Sequence, residues 1–352
     1  MKRELYSNNT KVSIVIPVYN EKETLSVLHR RLLETFERWN GQGWNFQIEV
    51  VLVNDGSSDG SGDIMDEYVK NDRRFKVIHL SRNFGHQEAL TAGLSFINSS
   101  CIVVLDADLQ DPPELIDVFL EKWVSGYDVV YGIRRKREEN IVLKMFYIIF
   151  YRLYKLMAHI EIPLDAGDFC LMDNKVIRVL NQLPERIRFI RGLRSWAGFA
   201  QCGIEYDRQK RQLGMSKYSF IKLVQLACTG FFGFSTIPLR IATTLGFLSM
   251  SIGFAFALFI LVQCFAGFSI LGFHPSDSVG YTSIFAGMMV FAGFQLLALG
   301  VIGEYIGLLY FETKGRPTFI IRSINGKLNE NLVPFGIDPN VNSLRVAEKS
   351  DS

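Results

Sequence analysis

The sequence has few cysteines, and they form no pattern that would build a disulfide framework or a structural zinc site. All five are scattered singly, without a CxxC pair, which argues against both and fits a reducing compartment. Neither sign of charge is in excess, since 38 Lys and Arg face 36 Asp and Glu for a net charge of +2. Because no basic tract carries interleaved aromatic residues, nucleic-acid binding is not expected.

Two phosphate-binding signatures are missing as well. No GxGxxG follows the first predicted strand, and no GxxxxGK(S/T) occurs in the chain. These absences remove the main support for a dinucleotide-dependent dehydrogenase and for a P-loop NTPase. The first residues also lack the apolar core of a secretion signal, so we expect the N-terminal domain to stay in the cytosol.

The N-terminal part of the chain alternates between strand-like and helix-like segments. Nearly continuous β-branched runs predict strands buried on both faces, and the segments between them carry apolar residues at helical spacing. The predicted strands cover residues 11–18, 48–53, 76–80, 102–105 and 128–134, and the predicted helices include residues 23–39 and 87–97. This order predicts an α/β fold, with a mostly parallel sheet and helices on both faces.

Polar clusters follow four of these strands. They are Tyr19-Asn20-Glu21, Asn54-Asp55, Ser81-Arg82-Asn83 and Asp106-Ala107-Asp108. Any one of them could be a solvated turn, but ligands of open α/β sheets bind beyond the carboxyl ends of the strands. Four clusters at one edge therefore predict a convergent site.

The last cluster is the richest in carboxylates. An apolar run ends in Asp106 and Asp108, followed by Gln110, and side chains two apart in an extended chain point the same way. We expect their oxygens to meet at one hard cation, Mg²⁺ or Mn²⁺. The alternative is that Asp111 caps the helix that begins at Pro112, with the other acids as turn residues.

Four segments in order resemble the family 2 glycosyltransferases of GT-A fold, and among them the polyisoprenyl-phosphate glycosyltransferases. They are IPVYNE at 16–21, VNDGSSD at 53–59, SRNFG at 81–85 and DADLQDPPE at 106–114. The resemblance implies a GT-A (Rossmann-like) domain that transfers a hexose with inversion from a nucleotide sugar to polyprenyl phosphate. Glucose, UDP-glucose and undecaprenyl phosphate are favoured because the chain looks most like the bactoprenol glucosyltransferases.

The resemblance also implies roles for individual residues. Those expected to hold the donor nucleotide are Pro17, Tyr19, Glu21 and Asp55. Asp106, Asp108 and Gln110 would hold the metal and the diphosphate. Asp168, in an acidic-Gly-Asp-Phe stretch near the acceptor, would be a general base or would bind sugar hydroxyls.

The chemistry itself favours cations over proton acceptors. A phosphate monoester with a second pKa of about 6 is largely dianionic at neutral pH, so no base is required. The residues expected to bind the acceptor phosphate or the diphosphate are Arg134, Lys144, Arg208, Arg211, Ser216 and Lys217. Lys144 departs from the family's usual arginine, and the segment around Lys217 could also be a plain connector. The five histidines show no ligand spacing, and we interpret them as structural.

Two long uncharged stretches follow Pro238. Residues 241–272 and 279–303 contain no charged side chain, which predicts two transmembrane helices. The positive-inside rule places the catalytic domain and both termini in the cytoplasm of a multi-pass inner- or plasma-membrane protein. The predicted organisation is a catalytic domain at 1–215, interface helices at 216–238, spans at 239–272 and 280–311 joined by a loop at 273–279, and a cytosolic tail at 312–352.

The glycines of the second span could allow close helix contacts, and the family resemblance implies a homo-oligomer, a tetramer. Two other functions stay open on the sequence. One is a processive polysaccharide synthase, which would need more spans and a Gln-x-x-Arg-Trp segment; the nearest match begins at Arg191 and does not fit. The other is a non-catalytic membrane sensor or scaffold for nucleotide sugars.

Overall fold

A computed structural model describes residues 10–135, 166–186, 188–207, 237–266 and 280–327. The chain divides into two compact units, one holding the N-terminal part together with the segment from Gly315, the other holding residues 221–314. Five predicted phosphate-binding positions, Lys144, Arg208, Arg211, Ser216 and Lys217, lie outside the described residues, as do the interface helices up to residue 236.

The first unit is built on an eight-stranded sheet. Its strands are Lys11–Val18 (β1), Gln47–Asn54 (β2), Phe75–Leu80 (β3), Cys101–Val104 (β4), Val129–Arg134 (β5), Ala166–Asp173 (β6), Gln201–Tyr206 (β7) and Ile321–Asn325 (β8). The order is β7-β5-β6-β4-β1-β2-β3-β8. β6 runs antiparallel to β4 and β5, β8 runs antiparallel to β3, and the other pairings are parallel. The mostly parallel sheet is confirmed, and the sequence did not predict β6, β7 or β8.

Helices cover both faces of this sheet, as predicted. They are Lys22–Gly41 (α1), Ser61–Asn71 (α2), His86–Ser95 (α3), Ile116–Val124 (α4), Asn174–Gln182 (α5) and Ile190–Trp196 (α6), with a 3₁₀ turn at Pro113–Leu115. On one face, Ile14 and Ile16 of β1 belong to the same core as Leu28 of α1. On the other face α3 lies so close that a Cβ at Gly93 would stand 2.4 Å from Val15 Cγ1, so only glycine fits there.

The second unit contains two long helices, Ile237–Ala266 (α7) and Gly280–Thr313 (α8). They contact each other where Gly253 of α7 faces Phe291 of α8. Within the described residues, one helical segment is long and apolar enough to cross a membrane, Phe291–Thr313, with a mean hydropathy of 1.6. A shorter apolar stretch, Ala242–Ala255, lies in α7. The described parts of both predicted spans are helical, and one span contains a segment with the length and hydropathy expected for crossing a membrane. The other crossing stays a prediction.

The glycines of α8, which the sequence suggested for oligomer contacts, make no close contact within the described part of this chain. Among the described residues, a Cβ at Gly287, Gly293, Gly300, Gly303 or Gly307 would meet nothing within 4 Å. Large apolar side chains of the same helix are exposed, including Leu296 and Leu309. The oligomer stays a prediction.

Candidate active site

The acidic turn begins where β4 ends. β4 ends at Val104, Asp106 follows it outside the strand, and Asp108 lies in a turn with Ala107, where the sequence had predicted an extended strand end. Leu109 adopts a left-handed conformation, with φ 61°, while its side chain is buried in the core. A branched residue is rarely found there. The turn is closed by the Gln110 N–H, which donates to Asp108 Oδ1 at 3.1 Å.

Asp106 meets Asp168 through a histidine. His86 opens α3, and its Nε2 lies 3.6 Å from Asp106 Oδ1 and 3.4 Å from Asp168 Oδ2. Asp168 lies within β6, next to β4 in the sheet, so neighbouring strands bring the two acids together. The sequence interpreted all five histidines as structural; the contact of His86 with two predicted site acids, which only the fold creates, makes it a candidate site residue.

Two further side chains hold Asp168. The Gln87 amide donates from Nε2 to Asp168 Oδ2 at 3.2 Å, and its Oε1 accepts the Ile190 N–H at 2.8 Å. Arg191 Nε lies 3.6 Å from Asp168 Oδ1. Asp168 therefore lies among a histidine, an amide and a guanidinium, with its side chain 11 % exposed.

The electrostatics of this cluster set the charge states of its members. Burial lowers the pKa of His86, but the charges of Asp106 and Asp168 outweigh it and raise that pKa to about 9. Burial raises the pKa of Asp168, yet His86 and Arg191 outweigh it and hold that pKa below its ordinary value. For Asp106 burial dominates, with Asp111, Asp168 and Asp108 adding to it against His86, and the pKa rises to about 7. Burial and the three neighbouring acids thus disfavour the charged form of Asp106.

Asp55 lies at the end of β2, and a short backbone segment links it to this cluster. Asp55 is buried and accepts the N–H groups of Phe84 at 2.7 Å and Gly85 at 3.0 Å. Burial raises the pKa of Asp55, and the two backbone donors oppose that rise. Because His86 follows Gly85 directly, one turn positions both Asp55 and the histidine between the acids.

The other predicted nucleotide residues lie at the same edge of the sheet. Pro17 is buried in β1 and pairs in register with Val53. Tyr19 is 40 % exposed. Glu21 precedes α1, and its backbone N–H donates to Ser61 Oγ at 3.1 Å.

Arg134 and Asp111 form a second polar group. Tyr206 donates a hydrogen bond to Asp111 Oδ1, and Arg134 Nη2 lies 3.9 Å from Asp111 Oδ2. Arg134 Nε also lies 3.4 Å from the Tyr206 hydroxyl. Asp111 is fully buried, and the residue before the 3₁₀ turn is Pro112, without a side-chain cap. The cap interpretation of Asp111 is therefore wrong, because Tyr206 of β7 is its partner.

The residues fit a cation held only partly by protein. Within the described part of the chain, no three His, Cys, Asp or Glu side chains come together as metal ligands. Asp106 Oδ1 is nevertheless buried and accepts no hydrogen bond from the described residues, and Asp108 follows it in the turn. Mg²⁺ is commonly held by one or two carboxylates plus substrate phosphates, and this donor set suits that arrangement better than an all-protein cage.

A family model described as glycosyl transferase family 2 matches residues 13–180. The uncharacterized glycosyltransferase YkcC of Bacillus subtilis is 42 % identical over 93 % of this chain and 98 % of its own length. The chain belongs to glycosyl transferase family 2. It is a glycosyltransferase, as the sequence predicted.

Other family 2 members cover a similar share of the chain. The bactoprenol glucosyl transferase of Shigella phage SfX is 36 % identical over 89 % of this chain and 99 % of its own length. Among solved structures, glucosyl-3-phosphoglycerate synthase from Mycobacterium tuberculosis aligns at 14 % identity with a TM-score of 0.44, covering 65 % of this chain and 81 % of that one.

Three residues of this candidate site were not predicted from the sequence: His86, Gln87 and Arg191. The first two directly follow the SRNFG segment, and Arg191 lies in the segment that was compared with a polysaccharide-synthase motif and set aside. Their position beside or within segments already compared with known motifs could have drawn attention to these residues. Their partners, however, lie on other helices and strands, so only the fold reveals the contacts.

Proposed function

We propose that this family 2 enzyme transfers glucose from UDP-glucose to the phosphate of undecaprenyl or another polyprenyl phosphate, with inversion at the anomeric carbon. The names of the bactoprenol glucosyl transferases, at 35 to 36 % identity, support the lipid acceptor and the sugar. The observation that carries the chemistry is the buried Oδ1 of Asp106, which accepts no hydrogen bond from the described residues although His86 Nε2 lies 3.6 Å away. A bound cation would stabilise the negative charge of such a carboxylate, and it would also stabilise the charge of the departing diphosphate.

Asp106 and Asp108 would hold Mg²⁺ or Mn²⁺, with Gln110 as a predicted third oxygen. When bound, the ion would neutralise charge that develops on the leaving diphosphate. The pKa of Asp106, raised by burial to about 7, supports this assignment, because a cation would restore the anion at neutral pH.

Asp168 serves better as a fixed anion than as a base. Its pKa is held below the ordinary value by His86 and Arg191 in spite of burial, and a carboxylate with a low pKa is a weak proton acceptor. We assign it to orienting Arg191 and the sugar hydroxyls. The acceptor phosphate needs no base, so the enzyme's task is to bring two anions together next to positive groups.

A lipid acceptor is also consistent with the candidate span at Phe291–Thr313. We propose a multi-pass plasma-membrane protein with the catalytic domain and both termini in the cytoplasm. The homo-oligomer belongs to the same proposal.

The test is transfer of radiolabelled sugar by purified full-length protein in detergent. The reaction contains undecaprenyl phosphate, Mg²⁺ or Mn²⁺, and one donor at a time from a panel of UDP- and GDP-sugars, and the lipid phase is extracted and counted. We expect label in the lipid phase with UDP-glucose. The β configuration of the released glucose phosphate, read by NMR coupling, would establish inversion from an α-linked donor.

Two results would contradict the proposal. If label reached the lipid phase only with another donor, glucose would be wrong and the transferred sugar would be that of the active donor. No label from any donor, with folded protein that binds UDP, would favour a nucleotide-sugar sensor over an enzyme of lipid phosphate.

A further inference from the structure

Two loops, residues 19–21 after β1 and residues 55–60 after β2, contain residues assigned to the donor nucleotide. Hydrogen bonds join these donor loops to each other. The Asn20 N–H donates to Ser57 Oγ at 3.0 Å, and the Ser58 N–H donates back to Asn20 Oδ1 at 2.8 Å. Asn20 is one of two non-glycine residues with a positive φ among the described residues, at 53°. Such a conformation persists where the surroundings fix it, and here Ser57 and Ser58 do so. The placement of Tyr19 and Glu21 therefore depends on the loop that follows β2.

That second loop is oriented by a histidine on the neighbouring strand. Asn54 Oδ1 accepts the Ser57 N–H at 2.9 Å, and Asn54 Nδ2 lies 3.0 Å from His79 Nδ1. His79 Nε2 lies 2.9 Å from Asp66 Oδ1. Because a carboxylate only accepts, the hydrogen-bond pattern assigns the proton to Nε2 and leaves Nδ1 to accept from Asn54. Asp66 thereby fixes which way the Asn54 amide points.

The last member of this series of contacts belongs to β8, a strand within the segment that the sequence predicted to be a cytosolic tail. Asn325 Nδ2 of β8 donates to the same Asp66 oxygen at 2.6 Å. Two further contacts attach the segment to the end of β3. The Ser81 N–H donates to the Ile320 carbonyl at 2.8 Å, and Arg322 Nη2 donates to the Ser81 carbonyl at 3.2 Å.

The end of β3 in turn touches the donor loop. A Cβ at Gly56 would stand 2.4 Å from the carbonyl carbon of Arg82, so backbone lies directly against backbone there. The segment 320–325, which follows α8 within a few residues, is thus connected to the donor loops through Asp66 and through Ser81.

We propose that Asn325, Asp66 and His79 are positioning residues for the donor nucleotide, and that β8 acts as a brace that holds the donor loops in their binding conformation. None of the three touches the predicted substrate; they act through Asn54 and Ser57. This inference rests on the proposed function, since it concerns the nucleotide part of that site. It assigns a role in donor binding to a segment that the sequence alone presents as a tail.

The test uses full-length protein in detergent with Asn325→Ala and Asp66→Ala. Glu67→Gln is the control, because it removes one negative charge from an exposed neighbour on the same helix. Calorimetry gives the Kd for UDP, and transfer assays give kcat and separate KM values for UDP-glucose and for the lipid. We expect Asp66→Ala to raise the UDP Kd and the UDP-glucose KM about tenfold, equivalent to about 1.4 kcal/mol, and Asn325→Ala to raise them about threefold. The lipid KM and the kcat at saturating donor should stay within twofold of the wild type.

The outcomes separate this inference from the proposed function. Wild-type protein that neither binds UDP nor transfers sugar would refute the function itself. Active wild type with unchanged donor constants in both variants would refute the brace. A fall in kcat and Tm without a change in donor KM would also refute it, because that is the signature of a merely structural contact. If Asp66→Ala does not fold, the donor constants of Asn325→Ala decide.

Discussion

His86 offers the sharpest test of the candidate site. His86→Ala removes the group between Asp106 and Asp168, with Nε2 at 3.6 and 3.4 Å from their oxygens. These are ion-pair contacts, and removing one partner of a buried ion pair costs about 3–5 kcal/mol. Because His86 is partly exposed, we take the lower end, about 3 kcal/mol, which predicts a fall in kcat/KM of roughly a hundredfold. His86→Lys keeps a positive charge and should recover part of that loss.

The assay is transfer of labelled glucose to the lipid, with the thermal midpoint in detergent measured in parallel. His29→Ala is the matched control, because His29 stacks on Tyr68 with ring centroids 4.1 Å apart and belongs to α1. We expect the control to keep its kcat/KM. If His86→Ala turned over like the wild type with an unchanged midpoint, the assignment of His86 to the site would be wrong.

Three more predictions follow from the acidic turn, from a buried ion pair and from the basic segment. Asp108→Asn should abolish metal-stimulated transfer, and EDTA should do the same to the wild type; full activity after chelation would exclude metal dependence. Glu49 is buried, and although burial raises its pKa, the lysines and Ser13 beside it hold that pKa below the ordinary value. The stabilising contribution of the Glu49 carboxylate is therefore present above its unfolded-state pKa and is lost as the pH falls through its folded-state pKa. Glu49→Gln should cost about 2 kcal/mol at pH 7 and progressively less as the pH falls through the folded-state pKa, measured as Tm against the exposed control Glu37→Gln. Arg211→Ala and Lys217→Ala should each lower transfer at least tenfold if they bind phosphate; unchanged kinetics in both would remove that role.

The sequence was sufficient for the strands that carry the site. Continuous apolar runs are a local property, so β1 to β5 were predicted to within a residue or two, together with the polar residues at their ends. Asp55 and Asp106 needed no tertiary information, because a parallel sheet brings the ends of its strands to one edge. The long uncharged stretches likewise predicted α7 and α8.

Interpretations that depended on a distant partner were less successful. Asp111 looked like a helix cap, since proline follows it, but its hydrogen bond comes from Tyr206 of β7. Asp106 and Asp108 were expected on one extended stretch, whereas the chain turns at Ala107 and Asp108, with Leu109 in a left-handed conformation. Neither local pattern contained the information that decided the outcome.

The sequence by itself determined the family, the strand-end carboxylates and the apolar helices, because each of these features depends on residues that are close together in the chain. Only the tertiary structure placed His86 between Asp106 and Asp168 and returned β8 to the edge of the sheet beside β3. The physical reason is that these contacts join residues far apart in the chain. Their geometry follows from strand order and helix packing, which the whole core fixes together, and no local pattern of residue types specifies it.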